Sequence, residues 1–280
     1  MTLQALPPVR EALEAHGLWA NKAFGQHFLL DLNITRKIAR LAQVGAGDHV
    51  IEVGPGPGGL TRALLETGAK VTAIETDQRF RPLLDDISVA SGCLTVIFED
   101  ALKVDYTDLA ADQPAHIVAN LPYNVGTPLL IKWLTGPWSP RSMTLMFQRE
   151  VADRITEGPS EDAYGRLAVI VQAVCHAERV MDVPARAFTP PPKVESAVVV
   201  FTPRDRPEPA CSVKTLSRVT AAAFGQRRKM LRASLKQLMP MPELLLKEAG
   251  IDPTKRAEDL PVSAFATMAA ILDRGGPGKT

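Results

Sequence analysis

His49-Val50-Ile51-Glu52-Val53-Gly54-Pro55-Gly56-Pro57-Gly58-Gly59, running into Leu60-Thr61-Arg62-Ala63-Leu64-Leu65, decides the fold. The first five residues read as a short buried strand, the glycine and proline cluster as a tight turn, and the apolar spacing beyond it as a helix. Glycine admits positive φ and lets a ligand approach a backbone that carries no Cβ. Gly54, Gly56 and Gly59 fit the spacing of a dinucleotide-binding turn. Pro55 and Pro57, however, remove two of the N–H donors on which a pyrophosphate cradle depends. The turn therefore favours a ligand without phosphates, for which S-adenosylmethionine is the leading candidate.

The next strands extend the pattern. Lys70-Val71-Thr72-Ala73-Ile74 ends at Glu75, about twenty residues past the turn, where a carboxylate can accept both hydroxyls of a ribose. Leu94-Thr95-Val96-Ile97-Phe98 ends at Glu99-Asp100, and Asp100 can accept from an adenine amino group. Ala115-His116-Ile117-Val118-Ala119 delivers Asn120. One carboxylate at a strand end is more often a solvated charge. Polar or glycine-rich groups at four successive strand ends instead mark the ligand crevice of an open α/β sheet.

Asn120-Leu121-Pro122-Tyr123 suits the holding of an exocyclic amino group on a flipped-out base. The Asn120 side-chain oxygen and the Leu121 carbonyl can each accept one N–H, and Pro122 biases Leu121 to an extended backbone that aims its carbonyl outward. Tyr123 can stack on the base plane, an interaction worth about 1–3 kcal/mol per base.

Five motifs in order, Phe24-Gly25-Gln26-His27-Phe28-Leu29, Glu52-Val53-Gly54-Pro55-Gly56, Asn120-Leu121-Pro122-Tyr123-Asn124, Phe188-Thr189-Pro190-Pro191-Pro192-Lys193-Val194-Glu195-Ser196 and Phe224-Gly225-Gln226-Arg227-Arg228-Lys229, cover nearly the whole chain. Together they resemble the KsgA (RsmA) family of small-subunit ribosomal RNA adenine dimethyltransferases, relatives of the Erm enzymes that modify large-subunit RNA. The resemblance implies a Rossmann-like class I S-adenosylmethionine-dependent methyltransferase sheet with a small C-terminal helical domain. It implies dimethylation of adenine N6 on two adjacent adenosines in the 3′-terminal hairpin of 16S rRNA, during ribosome biogenesis. Its cofactor site would be His27, Leu29, Gly54, Gly56, Glu75, Asp100 and Asn120, with His27 standing where the family usually has Asn. Catalysis would rest on Asn120, Leu121, Pro122 and Tyr123, with Phe188 flanking the base opposite Tyr123. An Erm-type enzyme, a nicotinamide-dependent oxidoreductase read from Gly54, Gly56 and Gly59, and a non-catalytic ribosome-assembly factor are the alternatives; Gly54, Glu75, Asp100 and Asn120, whose loss would mark the last, are all intact.

At 280 residues with 46% hydrophobic content the chain can bury a full α/β core and a smaller second one. The longest apolar run, near Leu167 to Val174, has the length of a buried strand, and nothing has the length of a membrane span or the pattern of a signal peptide. A cytoplasmic, monomeric enzyme without metal is expected, its RNA presented within a 30S assembly intermediate. Cys93, Cys175 and Cys211 lie far apart with no C-x-x-C, so reduced, mostly packed thiols are expected.

The net charge of +1 hides an asymmetry. Residues 1–203 carry 18 Lys/Arg and 23 Asp/Glu, a net of −5, and residues 204–280 carry 14 and 8, a net of +6. The stretch Thr202 to Pro209 reads as a linker, giving a catalytic domain over 1–203 and a basic helical RNA-binding domain over 204–280. No acidic residue interrupts Cys211 to Met241. Arg227, Arg228, Lys229, Arg232 and Lys236 are the candidate RNA contacts, with Arg228, Arg232 and Lys236 spaced by four on one helix face. Trp19, Trp133 and Trp138 are assigned to packing.

Overall fold

A computed structural model describes residues 2–19, 26–111, 113–204, 207 and 209–278. After α1 (Val9–Ala15), β1 (Phe28–Leu29) and α2 (Leu32–Leu41), strand and helix alternate through β2 (His49–Val53), α3 (Gly59–Leu65), β3 (Lys70–Glu75), α4 (Arg81–Ser91), β4 (Leu94–Phe98), α5 (Tyr106–Leu109), β5 (Ala115–Asn120), α6 (Gly126–Thr135) and β6 (Ser142–Gln148). Then come α7 (Arg149–Thr156), α8 (Arg166–Val174), β7 (Cys175–Val183), β8 (Phe188–Thr189), β9 (Ser196–Pro203), α9 (Val213–Phe224), α10 (Leu231–Ser234), α11 (Pro242–Glu248) and α12 (Val262–Asp273). The main sheet has the order β4-β3-β2-β5-β6-β9-β7, parallel from β4 to β6, with β9 antiparallel to β6. The order reverses after β2, between β3 and β5, which places a topological switch point beside the glycine turn.

Helices cover parallel strands on both faces, so the central strands carry almost uninterrupted apolar runs. Val50, Val71, Val118 and Met146 join one core with residues of α1 to α4, while Ile51, Ile117 and Leu145 are fully buried on alternate positions. No helix among the described residues is long and apolar enough to cross a membrane. Cys175 is buried, Cys211 half-buried and Cys93 exposed, all three as free thiols.

Close packing divides the chain into two units, Met1–Arg149 with Arg179–Phe201, and Glu150–Glu178 with Thr202–Thr280. A single boundary at 203/204 leaves 150–178 in the first domain; the packing takes that segment into the second. The apolar run Leu167 to Val174 explains the difference. It is not a strand but helix α8, whose Ala168, Val169 and Ala173 are buried in one cluster with Leu216, Val219 and Ala223 of α9 and Phe265, Met268 and Ala269 of α12. A run of eight residues, apolar at all positions but Gln172, fits either element by length. The redistribution also dilutes the charge asymmetry, since the second unit holds 16 Lys/Arg and 14 Asp/Glu, a net of +2, and the first 16 and 17, a net of −1. Trp133 is buried and Trp138 stacks on Tyr106, but Trp19 is 64% exposed and does not serve packing.

Two imidazoles sit on the central strands. His49 Nε2 meets Thr72 Oγ1 at 2.9 Å and His116 Nδ1 meets Ser142 Oγ at 2.7 Å, and burial holds both rings below the ordinary histidine range, with Lys70 adding to the effect at His49. For His116 the opposing pull of Asp48, 3.7 Å from Nε2, does not reverse it. A folded-state pKa below the unfolded one, about 6.5, means that the unfolded chain binds more protons in that window. Stability is therefore full above pH ~6.5 and falls as the pH drops toward the depressed folded values. The two rings thus lower the urea midpoint at pH 5.5 relative to that at pH 7.5, so His49→Gln with His116→Gln should raise the midpoint at 5.5 relative to that at 7.5 when compared with the parent; an unchanged pH dependence assigns it to other groups.

Candidate active site

One cavity opens at the carboxyl ends of β2 to β5, lined by the glycine turn, Glu75, Asp100, Asn120 and Tyr123 together with His27, Leu29 and Phe188 from β1, β8 and their approaches. Gly54, Gly56 and Gly58 take φ of 71°, 53° and 85°, which a side chain would strain. Gly59 is required for a different reason: a Cβ there would lie 2.8 Å from the Leu29 carbonyl, so its absence lets β1 close on the start of α3.

Glu75 is 6% exposed and holds the turn. Its Oε2 accepts from Gly56 N at 3.0 Å, and its Oε1 accepts from Thr76 N and Asp77 N, each at 2.8 Å. Burial raises its pKa while these three N–H groups oppose the rise. A carboxylate bound to the Gly56 N–H occupies the place a pyrophosphate would claim and repels it, which carries the argument from Pro55 and Pro57 further. The remaining acceptor capacity of Glu75 suits hydroxyl donors.

Asp100 accepts from Leu102 N at 2.9 Å through Oδ1. The loop after it is held by Lys132 of α6, whose ammonium donates to the carbonyls of Leu102 at 2.6 Å, Val104 at 2.8 Å and Ala101 at 3.4 Å. All three Lys donors are thus spent on the backbone beside Asp100. Glu52 is the cavity residue that motif reading passes over. It is 1% exposed, burial pushes its carboxyl up to about 8, and its Oε2 has no hydrogen-bond partner among the described residues. The signal was present in the sequence as one carboxylate inside the apolar run Val50-Ile51-Glu52-Val53.

On the far side, Asn120 closes β5, and no side-chain partner for it occurs among the described residues. The Leu121 carbonyl likewise accepts no hydrogen bond there, whereas the Pro122 carbonyl is taken by Val125 N and Gly126 N. Two free acceptors therefore stand side by side at the cavity. Tyr123 is fixed at both ends. Its hydroxyl meets the fully buried Ser196 Oγ at 2.9 Å, and its ring stacks on His27 with centroids 5.8 Å apart. Burial raises the phenol pKa, so the ring stays neutral at physiological pH. His27 Nδ1 lies 2.7 Å from the Pro190 carbonyl, which can only accept, so Nδ1 carries a proton and Nε2 is the ring nitrogen open to a ligand. Phe188, 3% exposed, pairs with Leu29 across β1 and β8 and lines the same cavity. Phe24 and Gly25 lie outside the described residues.

The basic row of the C-terminal segment departs from expectation. Helix α9 ends at Phe224, residues 225–228 form turns, α10 begins at Leu231, and Lys236 lies in a 3-10 turn, so Arg228, Arg232 and Lys236 do not share a helix face. Gly225 interrupts what spacing alone reads as one helix. Arg227 is committed to structure, with Nε 2.8 Å from Glu258 Oε2 and Nη2 donating to the Asp162 carbonyl at 2.8 Å. Within the acid-free run Cys211 to Met241, Arg227 takes its counter-charge from Glu258, 31 positions away.

A switch-point cavity walled by a carboxylate-held glycine turn, on this sheet order, defines a Rossmann-like class I methyltransferase fold. Known proteins narrow the class. The sequence pattern of the family described as ribosomal RNA adenine dimethylase matches residues 17–274. The chain is 70% identical over 270 residues, 96% of this chain and 94% of the relative, to ribosomal RNA small subunit methyltransferase A of Phenylobacterium zucineum. It is 65% identical over 251 residues, 89% and 96%, to the protein of that name from Caulobacter vibrioides. Among solved structures it is similar to a dimethyladenosine transferase from Plasmodium falciparum, with TM-score 0.76, 25% identity and 91% and 100% coverage. It is also similar to the 23S rRNA methyltransferase ErmE, with TM-score 0.68, 25% identity and 88% and 99% coverage. The chain belongs to the ribosomal RNA adenine dimethylase family.

Proposed function

We propose that this protein dimethylates N6 of two adjacent adenosines in the 3′-terminal hairpin of small-subunit ribosomal RNA, using S-adenosylmethionine. The observation that carries the reading is the pair of unspent acceptors, the Asn120 side chain and the Leu121 carbonyl, beside a Tyr123 ring fixed by Ser196 and His27. Bound in the cavity, the sulfonium donor supplies an already activated methyl group. Glu75 and Asp100 hold its ribose and adenine, and the free Nε2 of His27 adds one acceptor. Asn120 and Leu121 orient the amino group of the target base and favour a more tetrahedral nitrogen, whose lone pair is freed to attack; they also stabilise the positive charge that grows there. Tyr123 and Phe188 clamp the base extruded from its stack. No general base is needed, because a methylated ammonium loses its proton to water or a neighbouring acceptor.

Relatives at 53–70% identity over nearly the full chain bear the small-subunit name, which favours that substrate over the large-subunit one of ErmE. The chain acts as a cytoplasmic monomer without metal, on RNA presented in a partly assembled small subunit. The test is nucleoside mass spectrometry of undermethylated small-subunit particles incubated with the protein and S-adenosylmethionine. Dimethyladenosine at two adjacent positions is expected; its absence, or product in large-subunit RNA alone, overturns the reading. A companion titration should show sub-millimolar binding of S-adenosylhomocysteine and none of NAD.

A further inference from the structure

Resting on that reading, we propose that Arg186 and Lys193, on the segment that carries Phe188, grip the RNA phosphates on either side of the extruded adenosine. Both are exposed, and neither has a hydrogen bond or ion pair among the described residues. Their neighbours differ. Arg149 lies 3.2 Å from Glu195 and 3.9 Å from Asp182, and Arg179 lies 3.8 Å from Asp182. The two acids nearest in sequence are thus neutralised by other cations, and Arg186 and Lys193 keep their full charge for an external partner.

Chain geometry fixes where those charges stand. Phe188 lines the cavity, the Pro190 carbonyl is held by His27, and Ser196 is fully buried against the Tyr123 hydroxyl, so the segment is pinned at three points around the base site. At no more than about 3.6 Å per residue, the Arg186 Cα lies within roughly 7 Å of Phe188 and the Lys193 Cα within about 11 Å of Ser196. Lys193 is followed by Val194, an apolar side chain left 45% exposed. A free cation on each side of a stacking ring along the chain, with an exposed apolar residue next to the second, matches a nucleotide strand, whose phosphates flank every base. The first unit carries a net of −1, so these cations act locally rather than as part of a broad positive field.

The test measures equilibrium binding of the full chain, saturated with S-adenosylhomocysteine, to undermethylated small-subunit ribosomal RNA between 50 and 200 mM salt. Releasing two single-strand phosphates should flatten the slope of log K against log salt by about 1.4 in Arg186→Gln with Lys193→Gln, so that affinity falls about sevenfold less across that range. The affinity for S-adenosylhomocysteine and the rate at saturating RNA should hold. An unchanged slope in the double variant overturns the inference while leaving the methyl transfer of the parent protein, assayed in parallel, intact. A parent protein that neither binds nor methylates the RNA overturns both. Equal loss of S-adenosylhomocysteine binding would show the two residues to be structural, which also overturns the inference.

Discussion

Asn120→Ala should lower the rate of methyl transfer at saturating RNA by about 10²–10³, with little change in the affinity for S-adenosylhomocysteine. The size follows from the loss of one pre-oriented polar group facing charge that develops in the transition state. The separation of effects follows from the geometry: the glycine turn, Glu75 and Asp100 hold their positions through backbone hydrogen bonds that do not involve Asn120. Single-turnover rates and calorimetric binding constants check both halves. Parallel loss of rate and binding would make Asn120 a cofactor ligand only.

Glu75→Gln should weaken binding of S-adenosylhomocysteine by roughly 5- to 150-fold. Both carboxylate oxygens of Glu75 accept backbone N–H, three in all. An amide offers one oxygen and turns an NH2 toward at least one of those N–H groups. A ligand hydroxyl that would donate to the carboxylate and meets that NH2 instead is buried without its partner, at a cost of about 1–3 kcal/mol, which gives the stated range at 1.4 kcal/mol per factor of ten. Calorimetry reads it directly. A constant within twofold of the parent's would mean that Glu75 neither secures the turn nor meets the ligand.

What could be read from the sequence was what is local. The strand, turn and helix around Gly54, the strand ends at Glu75 and Asp100, and the tetrapeptide at Asn120 each show within seventeen residues or fewer, and the structure gathers them around one cavity. Contacts across long separations were not legible. His27 reaches Pro190 over 163 residues and Tyr123 reaches Ser196 over 73, and no periodicity encodes such pairs. Run length misled at α8, where Leu167 to Val174 suits a strand as well as a helix. Spacing misled at Arg228, Arg232 and Lys236, because the turn at 225–228 breaks the register that a fourfold interval assumes. Counting acids along the chain missed Glu258, which reaches Arg227 from 31 positions away.

The interleaving of the two units bears on how the protein can be dissected. Tyr164, Ala168 and Val169, which precede β9 in the chain, are buried among Leu216, Leu245 and Phe265 from beyond it, and the Tyr164 hydroxyl donates to the Leu260 carbonyl. A truncation to 204–280 would strip an apolar wall from those helices and expose it to water. Such a fragment should expand and aggregate, and its affinity for RNA would report a loose polycation rather than a folded surface.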